Sequence, residues 1–267
     1  MSPIRTRAVT LFSGSSGNAL LVESRQTSLL VDAGVCGRSI EEAMARVEAD
    51  PKKLGGILVT HEHSDHIAGV GVLVRRYRIP LYVNQATWLS MHPAVGKVHP
   101  DLVHLIKPGE RTELGDLSFS SFRTPHDAVD PVGYRIESDH GTISIMTDIG
   151  NMNQQLSDAV AKSDVLFIEA NYDDLMLEHG PYPRVLKNRI AGDHGHLSND
   201  DCGLAIGTLL QRGTNRFVLA HLSKENNFPE LAYDTVVRRL AGMGIDARRD
   251  IQLQVARRTM PGDPVTL

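Results

Sequence analysis

The feature that most constrains this chain is the stretch Thr60–His66, THEHSDH. The imidazoles of His61 and His63 and the carboxylate of Asp65 recur at every second residue, and His66 follows at once. Imidazole and carboxylate are the usual non-thiolate ligands of zinc and related divalent ions, and four such groups on one short loop point to a metal centre. Gly56–Thr60, just before it, is a short apolar run that reads as a buried strand, and Ile67–Tyr77, just after it, has helical apolar spacing. A fold that carries this loop must therefore hold it rigidly between a strand end and a helix start.

The surrounding pattern supplies such a frame. Ala8–Phe12, Ala19–Glu23 and Ser28–Asp32 read as a β-meander, with SGSSGN (Ser13–Asn18) and SRQT as turns. Ser39–Glu48 reads as a helix behind a Ser cap, ended by Pro51. Further strands are expected at Leu81–Asn84, Leu117–Arg123, Gly133–Glu137, Ile143–Asp148, Val165–Glu169 and Phe217–His221, and helices at Asn199–Gln211 and Tyr233–Gly242. Mixed sheets flanked by helices fit this order, and no repeat, low-complexity tract or composition break divides the 267 residues, which are read as one domain, 1–267.

Composition narrows the function classes. Apolar residues at 41% and charged residues at 22% match ordinary globular usage and exclude a disordered chain. No uninterrupted apolar window is long enough to span a bilayer, and the start, MSPIRTRAVTLFSG, lacks the apolar core of a secretion signal, so a cytoplasmic protein without a membrane partner is expected. Cys36 and Cys202 are too few for a disulfide framework and are read as reduced and structural. A net charge of −4 gives no overall attraction for polyanions, so contact with nucleic acid would rest on local patches such as Arg184, Lys187, Asn188 and Arg189, for which a solvated basic face is an equal reading.

THEHSDH resembles the HxHxDH signature of the metallo-β-lactamase superfamily, and the order of later motifs agrees over most of the chain. The resemblance implies an α/β fold, a four-layer αββα sandwich with two mixed β-sheets. It implies two divalent metal ions, one on His61, His63 and His126 (FRTPHD), the other on Asp65, His66 and His221 (VLAHLS), with Asp148 (IMTDIG) bridging them. Asp32, ending LLVDAG, is similar to the superfamily's buried acid behind the ligand loop, although a turn cap is an equal reading. His63 stands where the diiron flavoproteins have Glu, which favours zinc, with manganese the alternative, over a redox iron pair.

Glu169 (FIEANYD) and His196 (DHGHLSND) resemble the acid and imidazole that nuclease branches keep beside the metals. Taken together, SGSSGN, THEHSDH, EANYD, GHLSN and AHLSKENN resemble the YycJ-like branch, whose implied activity is 5′-to-3′ DNA exonuclease action with a metal-bridging hydroxide as nucleophile. Asp65, His196 and Glu169 are then the expected catalytic groups, and Asn226 and Asn227 candidate substrate contacts, DNA being favoured over RNA. His194, two residues from His196, is the competing imidazole, and Ser198 could simply cap the helix that follows. The competing function is hydrolysis of a small ester, lactone or thioester, which the metal loop permits equally but which does not require Glu169 and His196.

Overall fold

The computed structural model describes residues 5–267; residues 1–4, part of the chain start read above, lie outside it. In chain order the elements begin β1 (Arg7–Phe12), β2 (Ala19–Glu23), β3 (Ser28–Val31), α1 (Gly37–Arg46), β4 (Leu54–Leu58), α2 (Ser64–Ile67), α3 (Val70–Tyr77), β5 (Leu81–Val83) and α4 (Gln85–Val95). Strands β6 (Val103–Leu105), β7 (Arg111–Leu114), β8 (Leu117–Arg123), β9 (Val132–Ser138) and β10 (Gly141–Met146) follow, then α5 (Gln154–Val160) and β11 (Val165–Glu169). The chain continues through α6 (Asp174–His179), α7 (Arg184–Ile190), α8 (Asn199–Gln211), β12 (Arg216–Ala220), α9 (Pro229–Gly242), β13 (Gln252–Val255) and β14 (Val265–Thr266).

The strands form two seven-stranded sheets, ordered β14-β1-β2-β3-β4-β5-β6 and β13-β12-β11-β10-β9-β8-β7. Both are mixed, so the expected α/β sandwich class with two mixed sheets is found. Two compact units divide the chain: one holds the residues up to Arg123, Ala128–Gly141 and Arg257–Leu267, the other Thr124–Asp127 and Thr142–Ala256.

In the first unit, β1, β2 and β3 pair antiparallel and β3, β4, β5 and β6 parallel. All of β3 is buried, which is why Leu29–Val31 reads as a continuous apolar run rather than an alternating one. Val9, Leu11, Leu21, Leu30 and Ile57 from this sheet pack with Ile40 and Met44 of α1 and Leu73 and Val74 of α3. At roughly 2 kcal/mol for each fully buried large aliphatic side chain, this layer fixes the strand ends that carry the ligand loop.

Three expectations shift for local reasons. β4 ends at Leu58, before Thr60, because the Thr60 N–H and hydroxyl are both taken by the Asp32 carboxylate. The helix expected at Ile67–Tyr77 is broken at Gly69, whose N–H donates to the Ala33 carbonyl at 2.7 Å and where a Cβ would lie 2.4 Å from the Val35 oxygen. Ser39 does not cap α1: the helix starts two residues earlier with Cys36 at the cap position and ends at Arg46.

In the second unit, β10, β11, β12 and β13 pair parallel in register and α8 packs on α9. Ser198 does cap α8, its hydroxyl accepting from the Asp201 N–H. Parallel strands place their carboxyl ends side by side, which is where such sheets carry their chemistry. Cys202 is buried in this unit, whereas Cys36 is exposed and contacts the Ser39 hydroxyl. Among the described residues, no helix is long and apolar enough to cross a membrane.

Candidate functional site

The first unit gathers the ligand loop on two parallel strand ends. Asp32, the residue after β3, is buried and left-handed at φ 60. Its carboxylate accepts the Thr60 N–H and the Thr60 hydroxyl, each at 2.8 Å, and meets His66 Nδ1 at 2.8 Å. The Thr60 hydroxyl, spending its proton on Asp32, is left to accept from His61 Nδ1 at 3.0 Å. Both contacts put the imidazole proton on Nδ1, so that Nε2 is the acceptor nitrogen of His61 and of His66. Asp32 thus ties Thr60 and His66 together from behind the loop.

The spacing of the donor atoms suits a bound cation. His61 Nε2 lies 3.1 Å from His63 Nδ1, and the His61 and His66 ring centroids are 4.1 Å apart. Two nitrogens on one tetrahedral zinc ion at its usual bond length stand about 3.3 Å from each other. Asp65 Oδ2 lies 3.6 Å from His66 Nε2. The donor set therefore fits the group that the motif implies.

Asn18, at the end of SGSSGN, belongs to this cluster and was not singled out from the sequence. Its Nδ2 lies 3.0 Å from His66 Nε2 and 3.5 Å from Asp65 Oδ2, while its backbone N–H donates to the Asp65 carbonyl and its own carbonyl accepts from Gly34. The only sequence signal was the glycine-rich loop itself, which reads equally as a hairpin. Gly34 lets the two segments meet: a Cβ there would lie 1.6 Å from the Asp65 backbone oxygen. Gly34→Ala is therefore expected to displace the ligand loop at a cost of about 3 kcal/mol, lowering both the thermal midpoint and the bound metal. Wild-type metal content and midpoint in that variant, by metal analysis and thermal denaturation, would refute this account of the loop.

The second unit carries the later motifs, again at strand ends. Asp148 lies two residues beyond β10, Glu169 ends β11 and His221 follows β12. Asp148 and His221 are both left-handed, at φ 57 and φ 56. Donor atoms of Asp148, Glu169, His196 and His221 all lie within 4.8 Å of one another. Asp148 Oδ1 is 3.3 Å from His221 Nδ1 and 3.8 Å from His126 Nε2, and His126 Nδ1 donates to the Gly195 carbonyl at 3.0 Å. Burial holds the His126 imidazole below its ordinary pKa, hence neutral and competent to ligate.

Glu169 organises this cluster. It is fully buried, and Oε1 accepts from His196 Nδ1 at 2.8 Å and from His221 Nδ1 at 2.7 Å, while Oε2 accepts the Ile149 and Leu197 N–H groups. Burial alone would raise its pKa, but the His196 charge and the hydrogen bonds from both imidazoles reverse this and hold it well below the usual carboxylate range. Burial pulls the His196 imidazolium down, yet the Glu169 charge and hydrogen bond prevail and the net shift is upward. His194 is exposed, whereas His196 is bonded to Glu169.

The remaining candidates separate. The Asn227 amide is spent inside the fold, donating to the Ala170 and Asn171 carbonyls and pairing with the Asn199 amide. The Asn226 amide is buried with no hydrogen-bond partner. Arg184, Lys187, Asn188 and Arg189 all lie on α7, where Arg189 pairs with Asp127.

Comparison with known proteins gives a consistent picture. Residues 27–222 match the family described as the beta-lactamase superfamily domain. The exodeoxyribonuclease WalJ of Streptococcus pneumoniae serotype 2 is 42% identical over 252 residues, spanning 92% of this chain and 94% of that protein. The exodeoxyribonuclease YycJ of Bacillus anthracis is 36% identical over 251 residues, spanning 94% of this chain and 95% of that protein. Among solved structures, the metallo-beta-lactamase fold protein YhfI of Bacillus subtilis superposes with a TM-score of 0.70 at 18% identity, covering 96% of this chain and 99% of that one, a likeness of fold alone.

Proposed function

The chain belongs to the metallo-β-lactamase superfamily, and on that premise we propose that it is a two-metal exonuclease that removes nucleotides from DNA in the 5′-to-3′ direction. It is a metal-dependent hydrolase, and the whole chain acts as one metallo-β-lactamase-fold domain in this reading. The observation that carries the nuclease assignment is the buried Glu169 holding His196 beside Asp148 and His221. Acyl hydrolysis has no need of that pair; departure of an alkoxide from phosphorus does. The names of the two most similar relatives reported above support DNA as the substrate.

In this reading His61, His63, Asp65 and His66 in the first unit, and His126, Asp148 and His221 in the second, would hold the ions. Zinc suits so nitrogen-rich a set, with manganese the alternative. When bound, such ions supply a water acidified into a nucleophile and positive charge against the phosphate oxygens. Asp32 and Thr60 fix the tautomers of His66 and His61, and Glu169 does the same for His221, so that in each ring Nε2 is the deprotonated nitrogen. His196, bound to Glu169 through Nδ1, offers the opposite ring nitrogen, whose proton passes to the departing oxygen. The resulting neutral imidazole regains its proton from solvent, with Glu169 stabilising the charged form throughout.

The test is a cleavage assay on metal-defined protein with 5′-phosphorylated labelled duplex DNA, matched RNA and a panel of lactones and thioesters. Stepwise loss of nucleotides from the DNA 5′ end is expected, and His196→Ala should slow it about 10²- to 10⁴-fold while metal content is retained. Acyl turnover without nucleotide release would instead assign the protein to small-molecule hydrolysis.

A further inference from the structure

Between β11 and α8 the chain inserts two short helices, α6 and α7, that the reaction above does not use. They border a cavity of ≈ 620 Å³ lined by Tyr172, by Asp174 and Glu178 of α6, and by Arg184, Lys187 and Asn188 of α7. That volume suits a ligand the size of a nucleotide.

The lining is of both signs, and this decides the ligand class. An apolar ligand would strip water from charged groups without replacing it. A bare phosphate would meet two carboxylates as well as two cations. A nucleotide satisfies both sides: its base edge carries donors and acceptors for carboxylates and an amide, and its phosphate suits a guanidinium. Arg184 is exposed and has no ion pair among the described residues, whereas the Lys187 ammonium donates to the Glu178 carbonyl at 2.6 Å. Burial, then the neighbouring Asp200, Asp201 and Asp173, raise the Asp174 carboxyl.

The cavity is also tied to the residues around His196. Ala191 lines it, and the His196 N–H donates to the carbonyl of the preceding Ile190 at 2.8 Å. On the other side, Tyr172 bridges Ser198 and its carbonyl accepts the Asn199 N–H at 2.8 Å. At the end of α6, a Cβ built on Gly180 would lie 2.8 Å from Oδ1 of Asn226, the residue whose buried amide lacks partners.

We propose that the α6–α7 cavity is a base-recognition pocket that takes the nucleotide next to the scissile phosphodiester, with Arg184 on its phosphate and Asp174 and Asn188 on its base edge. This rests on the nuclease reading. The experiment uses the metal-loaded enzyme on 5′-phosphorylated oligonucleotides carrying an abasic residue at either position flanking the first bond, together with calorimetric binding of 5′-dAMP and of inorganic phosphate.

An abasic residue at one of the two positions should raise KM about tenfold and leave kcat nearly unchanged. Arg184→Ala and Asn188→Ala, both at exposed α7 positions, should raise KM for the intact strand to a similar degree, weaken 5′-dAMP binding about tenfold and keep full metal content. Unchanged KM with abasic strands, together with wild-type 5′-dAMP affinity in both variants, overturns the pocket while leaving the nuclease reading intact. Equal affinity for inorganic phosphate and 5′-dAMP also overturns it, since no base is then recognised. Loss of 5′-dAMP binding in the variants of an enzyme that cleaves no nucleic acid would refute the nuclease reading and, with it, the place of the pocket beside a scissile bond.

Discussion

Asp148→Ala is expected to lose bound metal and to cleave DNA about 10³-fold more slowly than the wild type, the effect of removing several kcal/mol of charge stabilisation. Asp148 sits at the end of a buried parallel strand, almost inaccessible, with Oδ1 3.3 Å from His221 Nδ1 and 3.8 Å from His126 Nε2. The family resemblance implies that it bridges both ions, so its loss should weaken both together. Metal analysis after gel filtration, paired with the cleavage assay, checks the coupling. A variant that keeps two equivalents of metal yet does not turn over would show that Asp148 has a role other than holding them.

The second large effect is expected from Glu169→Gln, nearly isosteric but unable to do what the carboxylate does. Two backbone N–H groups and two imidazole Nδ1 atoms converge on Glu169, four donors on acceptor-only oxygens. An amide has one oxygen, so its NH₂ must face either the two N–H groups or the two imidazoles. Facing the N–H groups, it leaves buried donors opposed, at a cost of about 2–3 kcal/mol. Facing the imidazoles, it forces the His221 proton onto Nε2, the nitrogen meant for the metal. Either way metal affinity should fall roughly 10- to 100-fold, and thermal stability should drop by about 5–10 °C. A metal titration and a melting curve read the two effects separately, and wild-type metal affinity would sink the tautomer argument.

Much of this site could be read from sequence because its residues follow the strongest signal a sequence carries. His61, Asp148, Glu169 and His221 lie at or just beyond short apolar runs, and runs buried on both faces mark parallel strands, whose ends lie side by side within each sheet. The residues that orient them carry no such mark. Thr60 reads as the last residue of a strand, and Asn18 as hairpin material, because their roles depend on partners 28 and 48 positions away. His194 and His196 differ in sequence by nothing that physics can weigh; only the position of Glu169 at the end of β11 separates them.

The same limit holds for the elements. Helix α4 was missed: Trp88, Met91 and Val95 do share one face, but exposed Leu89 and Pro93 interrupt the pattern, and its cap Asn84 reads as the end of β5. Helices α6 and α7 are six and seven residues long, too short for periodicity to show. Strands β4 and β10 were expected about two residues too late because Thr60 and Asp148 extend the β-like pattern while their hydrogen bonds or backbone leave it.

Asp32, Asp148 and His221 share a backbone state that L-residues with side chains rarely hold, each at the end of a strand in a left-handed conformation. Aspartate and histidine tolerate it better than most residues, but each still costs on the order of 1 kcal/mol. Glycine would hold any of these corners without strain. At Asp32 and His221 that relief would be outweighed, because glycine would strip the buried Thr60, His66 and Glu169 of hydrogen-bond partners, so a search for heat resistance would keep these strained corners and the chemistry with them.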